Sequence, residues 1–145
     1  MRWLIELFVV VALLGAVVAL FATQPQSPVA VSSNRETAEQ VYTNVVRLFL
    51  DPGFLSALEE AVCTRDNSKV RSALEASLGP QYVYNFTVRL AGTPPPCLAC
   101  VDVGGRLLNV TRPLNFKGPY TWSGVFRTVL PSGAQVEVFI GVGRP

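Results

Sequence analysis

Residues 78–88 read LGPQYVYNFTV, and the chain changes its periodicity inside them. Up to Leu78 apolar residues recur every three or four positions. From Gln81 onward Tyr82, Val83, Tyr84, Phe86, Thr87 and Val88 are β formers. Gly79-Pro80 parts the two regimes, because glycine accepts the backbone that ends a helix and proline cannot continue one. Helices before this point and strands after it predict an α+β domain.

Towards the N-terminus, Val70, Ala73, Leu74 and Leu78 share one face of a helix capped by Asp66 or Asn67. Asp51-Pro52-Gly53 stops one helix and starts another that ends near Cys63, since aspartate suits the N-cap and proline the first helical position. Further back, Ser33 and Glu36 form a capping-box pattern. Ala38, Val41, Tyr42, Val45, Leu48 and Phe49 then recur at helical spacing, with Glu39, Gln40, Asn44 and Arg47 opposite, so the apolar stripe is expected to lie on a sheet. Towards the C-terminus, Ala91-Gly92-Thr93-Pro94-Pro95-Pro96 ends the first strand. Residues 97–103 and 106–111 around Gly104-Gly105, and 121–130 and 134–142 around Pro131-Ser132-Gly133, are expected as two hairpins. In the last strand Val136, Val138 and Ile140 alternate with Gln135, Glu137 and Phe139, which makes one face apolar. The expectation is about three helices and a four- to five-stranded antiparallel sheet in residues 34–145.

Ahead of this domain, residues 23–33 carry Pro25, Pro28 and small polar residues and read as a linker. Residues 3–21, WLIELFVVVALLGAVVALF, hold one charge, Glu6. At about 1.5 Å per residue such a helix is long enough to cross a bilayer, so residues 1–22 are expected as a transmembrane or filament-core helix. Ala12, Gly15, Ala16 and Ala19 form a smooth face that another helix can approach. A carboxylate in a spanning segment costs roughly 2.5–3.5 kcal/mol at the bilayer centre, which marks Glu6 as functional; its alternative role is to pair with Arg2, one turn away. A secretory signal peptide cleaved after Ala22 is the competing reading. With Arg2 before the span and no cation after it until Arg35, the N-terminus is expected in the cytoplasm and the rest outside.

The run from Leu4 to Gly15, with Glu6 near its start, resembles the opening of a mature type IV pilin or pseudopilin. The resemblance implies that such helices pack together in a filament core, Glu6 neutralising the N-terminal amine of a neighbour, with Gly15 in the packing face. The implied partners are further copies of the chain or sibling pilin-like subunits, and the implied roles are surface filament, adhesion or secretion. The alternative from another class is a single-span binding or accessory domain of a larger membrane complex that never polymerises.

The 145 residues carry 12 Lys and Arg against 10 Asp and Glu, scattered, with no basic stripe for nucleic acid. There is no histidine, so the commonest general base and transition-metal ligand are both absent. Glu59 and Glu60 are adjacent and diverge around a helix, and Ser68-Lys69 lacks any supporting motif. The chain therefore reads as a non-enzyme without cofactor or small-molecule substrate. Cys97-Leu98-Ala99-Cys100 has the spacing of a thiol redox motif, but outside a cell the three cysteines Cys63, Cys97 and Cys100 are expected to make a structural disulfide. It lies either within the pair or from Cys63 to one of the two, leaving one thiol over. A zinc site would need Asp102 as fourth ligand. Asn85-Phe86-Thr87 and Asn109-Val110-Thr111 match the N-glycosylation pattern and require those asparagines to face solvent. Tyr120 and Trp122 are candidates for a contact patch, against the ordinary role of aromatics as core.

Overall fold

The computed structural model describes Trp3, Glu6, Leu7 and residues 9–13 and 28–145, with side chains of the last stretch from Arg35 on. The chain divides into two units, Met1–Ser33 and Asn34–Pro145. The described residues of the first stretch are helical, and Gly15 lies outside them. Among the described residues no helix is long and apolar enough to cross a membrane.

Three helices follow: α1 over Pro28–Leu50, α2 over Pro52–Thr64 and α3 over Ser68–Leu78. Of the linker expected over 23–33, residues 28–33 are helical in α1 and residues 23–27 lie outside the described residues; Pro28 suits a first turn, where its missing N–H has no partner to lose. Asp51 stands at the N-cap of α2 and its Oδ1 accepts from the Gly53 amide at 2.9 Å. At the start of α3, Asn67 occupies the cap position without a side-chain bond, while Asp66 Oδ1 accepts from the Ser68 amide at 3.0 Å. Gly79 ends α3 with φ +88°, where a Cβ would be strained.

The strands are β1 (Val83–Leu90), β2 (Arg106–Arg112), β3 (Trp122–Val129) and β4 (Gln135–Gly143), antiparallel in the order β2-β1-β4-β3. The architecture is α+β with a four-stranded antiparallel sheet. The expected strand over 97–103 does not form. Residues 96–98 make a 3-10 turn instead, and the backbone bonds here are local: Leu98 donates to Pro95, Val101 to Leu98 and Gly105 to Asp102. Three prolines withhold three amide donors just before it, and Cys97 is tied by disulfide to Cys63 in the last turn of α2.

Period-two alternation puts Tyr84, Phe86 and Val88 of β1, Leu108 and Val110 of β2, and Val136, Val138, Ile140 and Val142 of β4 on the helix side. There they join Val41, Val45 and Leu48 of α1, Phe54, Leu58, Ala61 and Val62 of α2, and Val70, Leu74 and Leu78 of α3 in one core. Trp122 and Phe126 of β3 belong to this side too: Phe49 stacks on Phe126 at 5.2 Å and Tyr42 meets Trp122 at 6.2 Å. Trp122 is therefore partly buried and packs against the core from the helix side.

One polar atom in this core is unsatisfied. Tyr84 is buried and its hydroxyl has no hydrogen-bond partner among the described residues. Burial, followed by the nearby Glu75 carboxylate, raises its pKa above the ordinary value of 10.0. Because the folded value is the higher one, the unfolded chain loses the proton first. Stability is retained below pH 10 and is lost as pH rises from there through the folded pKa. Tyr84→Phe is expected to stabilise the protein by about 1 kcal/mol at neutral pH, by removing a desolvated hydroxyl, and to reduce the loss above pH 10. Denaturant unfolding at pH 7 and pH 11 checks both; destabilisation at neutral pH would mean that the hydroxyl is satisfied in solution.

Candidate binding groove on the open sheet face

The alternation that buries one face of the sheet leaves the other without helices among the described residues of 34–145. Across it the strand register sets up three rows. The first runs Thr111, Asn85, Gly141, Ser123; the second Asn109, Thr87, Phe139, Val125; the third Arg106, Arg89, Glu137, Arg127. Both sequons thus lie on this face, directly paired, with each asparagine opposite the threonine of the other.

The connection of residues 113–121 folds back over one end of the face. Thr111 Oγ1 accepts from the Asn115 amide at 3.0 Å, which turns the chain after β2. Tyr120 then lies over Gly141 and packs edge-on against Phe116 at 5.5 Å and Phe139 at 5.7 Å. Gly141 is needed there, since a Cβ would come within 2.5 Å of the Tyr120 ring. The Tyr120 hydroxyl accepts from Asn85 Nδ2 at 3.0 Å, and the Thr87 hydroxyl lies 3.1 Å from Asn85 Oδ1 and 3.4 Å from Asn109 Oδ1. Asn85 is thereby half-buried with its amide engaged, whereas Asn109 is exposed and offers the more accessible sequon.

These residues enclose a groove of about 530 Å³. Its floor is Asn85, Thr87, Asn109 and Thr111; its wall is Asn115, Phe116, Lys117 and Phe139; its mouth is Arg89 and Arg106. Among the described residues no carboxylate lines it. Arg127 is held by Glu137 at 3.1 Å, but among the described residues Arg89, Arg106 and Lys117 have no ion pair or side-chain hydrogen bond.

No family model, curated protein or solved structure matches the chain.

The cysteines lie elsewhere. Cys63–Cys97 form a disulfide and Cys100 is free and exposed, so two of the three thiols are unavailable to a metal. Among the described residues no group of three His, Cys, Asp or Glu side chains is placed to hold one. Glu59 accepts from the Ser132 amide at 3.1 Å and Glu60 takes Lys69 at 2.7 Å, while Lys69, next to Ser68, is spent on that pair. Glu59, Glu60 and Lys69 each have a structural partner. The period-two run Asn85, Thr87, Arg89 was visible in the sequence as a polar face, but its meeting with Asn109 and Arg106 needed the register.

Gly141→Ala is expected to cost about 1–3 kcal/mol, as the added methyl displaces Tyr120 and frees the Asn85 amide. Thermal unfolding measures the cost, and an unchanged melting temperature would show that the ring moves aside freely.

Proposed function

We propose that the chain is an extracytoplasmic subunit of a type IV pilin-like filament or secretion assembly, held and polymerised through its N-terminal helix, with the α+β unit as its head. The observation that carries this reading is the exposure of apolar side chains along that helix. Trp3, Leu7, Val9, Val10, Val11 and Leu13 are all exposed, with Glu6 among them. Six such side chains on one short helical stretch need lipid or other helices as cover. A carboxylate among them is better tolerated between helices, where it meets a cation, than facing hydrocarbon. The head contributes binding surface, not catalysis.

A second reading, a single-span binding domain that does not polymerise, is favoured by the open groove with its three uncommitted cations. Glu6→Leu separates the two. Under the filament reading the variant inserts into membranes as well as the parent, while long assemblies sheared from cells fall by about tenfold or more, the loss of a charged pair between helices. Undiminished assemblies, or none in the parent, would leave the anchored binding domain.

A further inference from the structure

The third row of the open face alternates in sign everywhere but one place. Reading from β3 to β2 it runs Arg127, Glu137, Arg89, Arg106, so the last two positions are both cationic. Like charges on paired strands oppose folding; the two arginines meet where the register shifts at a bulge between Val88 and Arg89, and among the described residues neither makes an ion pair, because Glu137, across from Arg89 on β4, is taken by Arg127. An external carboxylate seated between Arg89 and Arg106 would complete the alternation, and arginine's planar fork suits that geometry.

The groove extends from this pair along β1. From Arg89 to Asn85 the strand covers about 13 Å, passing the hydroxyl of Thr87 and the exposed amide of Asn109. At its far end the loop supplies a third unpaired cation, Lys117, beside Phe116. Cations at both ends, amides and hydroxyls between them, and the rings of Phe116 and Phe139 along the wall complement an extended ligand with separated acidic groups, many hydroxyls and apolar ring faces.

We infer that the groove binds an acidic oligosaccharide, its uronate carboxylates held by Arg89 and Arg106 at one end and by Lys117 at the other. An acidic peptide fits the charges less well, because a peptide gains its backbone bonds at a strand edge and not on the face of a sheet. Nucleic acid is disfavoured because the cations do not form the continuous track that follows a phosphate backbone. The assignment holds whether or not the chain polymerises.

The test uses the full chain in a neutral detergent, without a glycan on Asn109, titrated with a tetragalacturonate and, in parallel, with maltotetraose, a hexaglutamate peptide and a short single-stranded DNA. Saturable binding of the uronate is expected, with the other three weaker by about tenfold, the worth of one charge-assisted contact. Arg89→Ala and Arg106→Ala are each expected to weaken it about tenfold without lowering the melting temperature, both residues being exposed, while Arg47→Ala on the exposed side of α1 changes nothing. Absence of uronate binding, equal binding of peptide or DNA, or equal loss in Arg47→Ala would overturn the inference. Glu6→Leu should bind like the parent, so failure of the filament reading and failure of this one are told apart.

Discussion

Cys63→Ser is expected to remove about 3–4 kcal/mol of stability, the chain-entropy value for a link closing 34 residues. The link joins the last turn of α2 to the connection between β1 and β2, so it ties the helix layer to a segment with few other restraints. That segment is otherwise held by backbone bonds of Ala91 and Thr93 to Gln135, by those of Leu90 to Gly104 and Gly105, by the buried Pro95 and by the half-buried Leu98. The burial of Pro95 and Leu98 replaces the covalent tie only in part, because Cys97 and its neighbours Pro96, Ala99 and Cys100 are exposed. Cys97→Ser should cost the same, the double variant no more than either, and Cys100→Ser nothing, since its thiol is free. Denaturant unfolding of the four variants under non-reducing conditions checks the pattern. A loss below about 1 kcal/mol in Cys63→Ser would mean that the bond constrains the unfolded chain little.

Phe86→Ala is expected to cost about 3–5 kcal/mol and to lower the melting temperature by more than about 10 °C. Phe86 is fully buried on β1, which has β2 on one side and β4 on the other. Its ring meets Phe54 of α2 edge-on at 6.2 Å, and Phe54 in turn meets Phe49 of α1 at 5.7 Å, so this one side chain couples the sheet to two helices. Its cross-strand neighbours Val110 and Ile140 are themselves fully buried and cannot move far to fill the void. The same change at Phe139, opposite Thr87 on the open face, should cost much less, because that ring is only half-buried. Equal losses at the two sites would mean that the open face is covered in solution.

Much of the fold was legible from local chemistry. Asp51 before Pro52 and glycine before Pro80 mark helix ends through backbone geometry that needs no tertiary partner. The alternation of Val136, Val138 and Ile140 names the buried face of β4 for the same reason. The failure at 97–103 has the opposite cause: valine and cysteine there suit a strand, but the distant Cys63 holds Cys97 in a 3-10 turn that opens at Pro96.

The candidate site was barely legible. Asn85, Thr87 and Arg89 stand two apart and had to share a face, yet nothing local says which strand lies beside them. The sequons were read as separate modification sites, and the register makes them one floor. The cysteines left three pairings open, and only the approach of the α2 terminus to the 3-10 turn selects Cys63 with Cys97. By itself the sequence determined the order of helices and strands, the apolar N-terminal stretch with its lone Glu6, and the missing histidine chemistry, because each is a property of neighbours along the chain. Only the tertiary structure decided the disulfide, the bare sheet face and the Arg89–Arg106 juxtaposition, because strand register and loop placement depend on contacts between residues far apart in the chain.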